Sequence, residues 1–214
     1  MTESSNTRKR EFEVVVWGAT GFTGRLVAGY LAEHYGVGKD LRWAIGGRSE
    51  SRLKEIRASL GKAAAKLPMI VADSHDAESL KELVKRTAVV CSTVGPFAKY
   101  GSELVAACAE HGTDYCDITG EAHWIRAMLD ANEKAAKKSG ARIVNCCGFD
   151  SLPSDLGTFF VQQAMQEQHG VAASEVAMRV RRMKGKFSGG TAASIDRKST
   201  RLNSSHLKLS RMPS

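Results

Sequence analysis

Apolar positions follow two alternating periods along the first 150 residues of the chain. Short apolar runs read as strands, and between them apolar positions recur every three to four residues, as on one face of a helix. Residues 12–17 (FEVVVW) predict a buried strand. Residues 22–34 predict a helix, with Leu26, Val27, Tyr30 and Leu31 at helical spacing. The alternation continues with strands at 41–45, 67–72, 88–94, 113–118 and 141–146, and helices at 50–60, 76–85, 101–111 and 121–138. Ser49 stands where the second helix needs an N-cap. Gly46-Gly47 is expected to stop the second strand, Gly95-Pro96 to close the fourth, and Gly140 to end the long helix. Strict β–α alternation with short connections predicts an α/β fold: a doubly wound, mostly parallel Rossmann-type sheet with right-handed crossovers.

The rhythm breaks after Cys147. Residues 154–168 predict a helix, and 175–183 alternate as a strand would, with nothing following for that strand to pair with. This region is expected to begin a second α/β domain that is cut short. Residues 1–11 lack the apolar core of a secretory signal and read as a disordered leader. Residues 197–214 are poor in aromatic and β-branched residues and are expected to stay disordered. That last segment resembles translated adapter sequence and is read as foreign to the protein. The expected organisation is therefore 1–11 leader, 12–150 nicotinamide-nucleotide domain, 151–196 start of a second domain, and 197–214 tail, the whole being a fragment.

The formal charge of +8 suggests a polyanion partner until it is divided along the chain. The tail holds Arg197, Lys198, Arg201, Lys208 and Arg211 with no acid, the leader is +1, and the body between them keeps only +2. Nucleic-acid binding is not expected, because it needs a clustered basic face and aromatic platforms. The five cysteines, Cys91, Cys108, Cys116, Cys146 and Cys147, form no CxxC pair. Reduced thiols, an intracellular and cytoplasmic setting and no metal site are expected. No apolar run approaches the ~20 residues that span a bilayer.

The strongest chemical signal is Gly18-Ala19-Thr20-Gly21-Phe22-Thr23-Gly24, between the first strand and the first helix. Gly18 permits the sharp turn, Gly21 lets backbone approach a pyrophosphate, and Gly24 lets the helix pack closely. The helix start offers free N–H groups and positive dipole, and Thr20 and Thr23 add hydroxyl donors. A tight turn without a ligand is the alternative. NAD sites place a carboxylate at the end of the second strand to meet the ribose 2′-OH. Here Arg48 and Ser49 follow that strand, with Arg52 near, which suits a 2′-phosphate and favours NADP(H) over NAD(H). A solvated Arg48 is the bland alternative. Asp73 is expected either to reach the adenine amino group or to cap the next helix. Thr93, Val94, Gly95, Pro96 and Phe97 end the fourth strand and are expected beside the nicotinamide half.

No catalytic residue is assigned. Tyr100, Tyr115, Asp117, Glu121 and His123 are candidate proton donors. Asp117 reads equally as an N-cap and Glu121 as a first-turn helix carboxylate. Cys146 ends the sixth strand on the same edge and is read as a buried apolar thiol in preference to a functional one. Asp150 is read as the cap of the helix that follows it. A short-chain dehydrogenase mechanism is not expected.

Four segments in order, VVWGATGFTGRLVAGYL, AIGGRSESRL, TVGPFAKYGSELVAACAEHGTDYCDITGE and CGFDSLPSDLG, resemble saccharopine dehydrogenase-like oxidoreductases, a family that includes bacterial trans-acting enoyl reductases. The resemblance spans residues 12–195 and implies an NAD(P)-binding domain followed by a second domain, in a chain about twice this long. It implies pyrophosphate contacts at Gly18, Gly21 and Gly24 and an adenosine-phosphate contact at Arg48. It also implies cofactor neighbours at Gly95, Pro96 and Phe97 and along 115–121, and a matching segment at Ser188-Gly189-Gly190-Thr191. The implied function is hydride transfer on a small or lipid-linked substrate, in lipid or glycolipid metabolism. Peripheral lipid-surface association, lipid-droplet or mitochondrial location and self-association come with it. The competing expectation is a non-catalytic dinucleotide-binding protein whose cofactor occupancy controls a partner or a lipid surface.

Overall fold

Strands buried on both faces need apolar side chains on both sides, and the chain supplies them from its first element. In the computed structural model, which describes residues 10–182, β1 (Phe12–Trp17) sends Val15 and Trp17 to one face and Val16 to the other. The remaining strands are β2 (Trp43–Gly47), β3 (Met69–Val71), β4 (Thr87–Ser92), β5 (Asp114–Asp117) and β6 (Ile143–Val144). They form one six-stranded sheet in the order β3-β2-β1-β4-β5-β6, with every pairing parallel. This is the doubly wound dinucleotide-binding topology, with its reversal of strand order between β1 and β4. The expected fold class is met.

Helices cover the two faces unequally. α1 (Phe22–His34) and α2 (Glu50–Ser59) pack on the face of Val16, Trp43 and Ile45 through Ala28, Leu53 and Ile56. On the other face lie α3 (Ala77–Arg86), the short α4 (Phe97–Tyr100), α5 (Ser102–His111) and α6 (Ala122–Ser139). Leu80, Leu83, Leu104, Val105 and Trp124 close that side around Val15 and Trp17. Burial of each leucine there contributes about 2 kcal/mol. Ser49 caps α2 as expected, accepting from the Arg52 N–H at 3.4 Å.

Several boundaries differ from the sequence reading. Gly46 and Gly47, expected to stop β2, belong to it and pair with β1 and β3. The glycine serves packing: a Cβ on Gly46 would lie 2.9 Å from the Trp17 ring. β6 is two residues long rather than six, and α4 was read as loop. Residues 175–182 form no strand, since no neighbouring strand offers them a ladder. α7 (Leu152–His169) takes the place of the helix expected at 154–168 and buries none of its residues. Residues 1–9 and 183–214, with most of the expected leader, the tail and the Ser188–Thr191 segment, lie outside the described residues. Arg10 and Glu11, expected in a disordered leader, are instead held by hydrogen bonds to the strand ends and to Arg86.

The amino ends of the strands are held by one side chain. Arg10 donates to the carbonyls of Val84, Thr87 and His111 and to Thr113 Oγ1, over 2.5–3.3 Å. It thus joins the end of α3, the start of β4, the end of α5 and the entry to β5.

Candidate functional site: the carboxyl edge of the sheet

Because all six strands are parallel, every loop that follows a strand emerges on one edge. The structure places all the predicted binding segments there: the turn after β1, Arg48 and Ser49 after β2, Asp73 after β3, and residues 93–97 after β4. The crevice at the β1–β4 reversal is where this topology receives a ligand.

The glycine turn is as tight as its sequence suggests. Gly18 has φ +88°, and a Cβ on it would lie 2.5 Å from Val94 Cγ2 and 2.9 Å from Thr93 Oγ1. A Cβ on Gly24 would overlap the Gly18 carbonyl and come within 2.8 Å of Ala19 Cα. The turn is fixed by Gly18 and Ala19 N–H donating to the Gly46 carbonyl at 3.0 and 3.2 Å, and by Gly21 N–H donating to the Gly18 carbonyl at 2.9 Å. Thr93 ties the β4 loop to it, donating through Oγ1 to the Trp17 carbonyl at 3.0 Å. The Arg25 guanidinium braces the Thr20 carbonyl at 3.2 Å. α1 starts at Gly21 with no side-chain cap and no acidic residue in its first turn, and Phe22 beside it is 66% exposed. A 13-residue helix that leaves its first amides uncapped behind a glycine cradle fits a diphosphate.

At the end of β2, Arg48 is exposed and forms no hydrogen bond or ion pair with the described residues. Ser49 is occupied by the α2 cap. The β3 loop resolves its alternative: Asp76, not Asp73, caps α3, accepting from the Glu78 N–H at 3.1 Å. Asp73 holds the turn by accepting from the His75 N–H at 2.9 Å. In the β4 loop the Gly95–Pro96 bond is cis. Phe97 points inward, 4% exposed, with its ring 5.7 Å from that of Trp124, so its side chain belongs to the core rather than to the edge.

The candidate proton donors beyond β5 are engaged in structure. Tyr115 is buried and its hydroxyl donates to Asp117 Oδ2 at 2.9 Å; burial pushes the phenol well above its usual range. Asp117, 1% exposed, also accepts from Asn145 Nδ2 at 2.8 Å and from the N–H groups of Thr119 and Cys146, each at 3.1 Å. Burial raises the Asp117 carboxyl, and these hydrogen bonds pull against it. Cys146 is held there with φ +63°, a left-handed conformation uncommon outside glycine. Thr119 Oγ1 accepts from the Glu121 N–H at 3.1 Å. The Glu121 carboxylate accepts from Phe97 N–H at 2.9 Å and Ala98 N–H at 3.0 Å, capping α4. Tyr100 packs tilted against His75, with ring centroids 5.6 Å apart, and His123 is exposed in the first turn of α6.

Sequence reasoning missed Asn145, Thr119 and Trp124. Only the recurrence of polar residues at every second position of 115–121 hinted at Thr119. The Tyr-x-x-x-Lys spacing that a short-chain dehydrogenase mechanism uses is present only as Tyr35 and Lys39, beyond the far end of α1, on the edge opposite the glycine turn. Cys91 and Cys116 are register partners in β4 and β5, and the Cys116 thiol hydrogen-bonds to Cys91, lowering the Cys91 pKa and raising its own. Among the described residues no group of three or more His, Cys, Asp or Glu is placed to hold a metal ion, and no helix is long and apolar enough to cross a membrane.

Comparison with known proteins agrees with this geometry. A provisionally named trans-acting enoyl reductase of Mycobacterium tuberculosis is 46% identical over 186 residues, covering 87% of this chain and 44% of that protein. A trans-acting enoyl reductase of Mycobacterium ulcerans is 41% identical over 189 residues, covering 88% of this chain and 44% of its own. The chain thus spans under half the length of these relatives. Among solved structures, an apo saccharopine dehydrogenase (L-Glu forming) of Saccharomyces cerevisiae shares the fold, with TM-score 0.56 and 19% identity over 74% of this chain and 32% of that one. The profile of the saccharopine dehydrogenase NADP binding domain matches residues 14–144, from β1 to the end of β6. The chain belongs to the family of saccharopine dehydrogenase NADP-binding domains.

Proposed function

We propose that this chain supplies the NADP(H)-binding part of an oxidoreductase that moves hydride to or from a small or lipid-linked substrate. The observation that carries the reading is the cradle of Gly18, Gly21 and Gly24 against the uncapped start of α1. The diphosphate lies over that helix start, with Thr20 and Thr23 as added donors. Arg48 pairs with the 2′-phosphate, and Ser49 and Asp73 shape the adenosine side. Thr93, Val94, Gly95 and Pro96 border the nicotinamide half. Bound there, the dinucleotide supplies the hydride, and the protein's part is to hold and orient it. The names of the mycobacterial relatives support an enoyl group as the acceptor, and with it a place in lipid metabolism.

Fluorescence titration with NADPH and NADH tests the reading. Tight, saturable NADPH binding with weaker NADH binding is expected; no binding of either nucleotide defeats it. A second reading, NADP(H) binding without catalysis, draws on the commitment of Tyr115, Asp117 and Glu121 to internal hydrogen bonds. NADPH oxidation in the presence of an enoyl thioester separates the two.

A further inference from the structure

We propose that Glu121 is a positioning residue that fixes the 93–98 loop against the nicotinamide half of the cofactor. This inference rests on the NADP(H) reading above. Each of its carboxylate oxygens accepts one N–H from the start of α4, Phe97 at 2.9 Å and Ala98 at 3.0 Å. Charge-assisted bonds of this kind are roughly twice as strong as neutral ones. They reach across 23 and 24 residues of sequence, from the start of α6 to the loop that follows β4.

Glu121 is itself held from below. Its N–H donates to Thr119 Oγ1, the Thr119 N–H donates to Asp117, and Asp117 also binds Asn145 and the Cys146 N–H. One turn further along α6, Trp124 packs tilted against the Phe97 ring and donates through Nε1 to Ser102 Oγ at 3.0 Å. A Cβ on Gly101 would lie 2.7 Å from the Trp124 ring. The start of α6 therefore grips α4 at both ends, and residues 93–96 hang between that grip and the Thr93 tie to β1. A carboxylate whose two oxygens each accept a backbone amide is a clamp. This assigns Glu121 a role different from the acid expected of it.

The test separates the two halves of the dinucleotide. NADPH and adenosine 2′,5′-bisphosphate, which lacks the nicotinamide half, are titrated into wild type, Glu121→Ala and Glu121→Gln. Loss of the clamp is expected to weaken NADPH binding by about fivefold or more, fivefold being about 1 kcal/mol. Binding of the bisphosphate should stay within about twofold, because its site lies on the glycine turn and Arg48. Gln keeps one acceptor oxygen and turns an amide toward the other N–H, so it should fall between wild type and Ala; it carries the test if the Ala variant does not fold. Equal NADPH affinity in all three proteins overturns the proposal. So does an equal loss for both ligands, which would mark a general structural defect. Wild-type protein that binds neither ligand fails the cofactor reading itself, and the proposal with it.

Discussion

Gly24 of α1 lies directly against the carbonyl of Gly18, so closely that a methyl group at Gly24 would overlap it. The contact sets the distance between the first helix and the first strand. Gly24→Ala should therefore cost roughly 3 kcal/mol, the upper end of overpacking changes. Chemical denaturation should show the loss, and an unchanged midpoint would mean the helix can slide outward without penalty. Gly29, on the same helix with open space around it, is the control, and Gly29→Ala should be neutral or stabilising.

Arg48 is exposed and unpaired among the described residues, so replacing it should leave stability within about 0.5 kcal/mol. Arg48→Ala should instead erase most of the preference for NADPH over NADH, through loss of a charge-assisted contact worth about 1.5–3 kcal/mol. Parallel titrations of the two nucleotides check this. If the preference survives, the 2′-phosphate is read elsewhere.

Asp117 gathers four donors in a buried place, two from side chains and two from backbone. Asp117→Ala strands them and should destabilise by about 3 kcal/mol or more. Asp117→Asn should also destabilise, because its amide cannot accept where Tyr115 and Asn145 both donate. Melting curves of the two variants beside Asn145→Ala would show whether the cluster behaves as a unit.

Glu11 joins Arg86 through bonds of 2.7 and 3.0 Å, and the guanidinium holds the Glu11 carboxyl below its ordinary value. A depressed acid stabilises the fold above its unfolded pKa, near 4.3, and loses that contribution as pH falls through the folded value. The pair is largely solvent-exposed, so the effect should stay below about 1 kcal/mol. The stability gap between wild type and Glu11→Gln should be present at pH 7 and close in acid. A gap that widened in acid would contradict the assignment.

Trp17 carries a buried indole N–H with no partner among the described residues. Trp17→Phe removes an unsatisfied donor worth about 1–3 kcal/mol while losing ring volume of similar value, so the change should lie near zero. A loss above about 3 kcal/mol would show that the N–H is satisfied in solution.

The sheet and the turns on its carboxyl edge were readable from sequence because both rest on local rules. Strand–turn–helix punctuation fixed the order of elements, and Gly18 and Gly24 announce a tight turn and a close helix approach that a Cβ would block. Arg48 was legible as a cation in place of a carboxylate at a known position of the topology. The polar cluster was not legible. Asn145 meets Asp117 across 28 residues, and Glu121 meets Phe97 across 24, so no local period marks either pair. Gly46 was misread as a stop because its purpose, room for the Trp17 ring, lies on the neighbouring strand. The strand expected at 175–183 failed for a related reason. Alternation describes a side-chain pattern, but a strand exists only when another supplies hydrogen bonds.

The Arg10 peg sets a practical limit on engineering. A shortened gene product or a cleavable tag should leave residue 10 intact, even though the apolar pattern begins two positions later. Trimmed to Phe12, the protein would keep every strand yet lose the rivet that joins four segments at the base of the sheet.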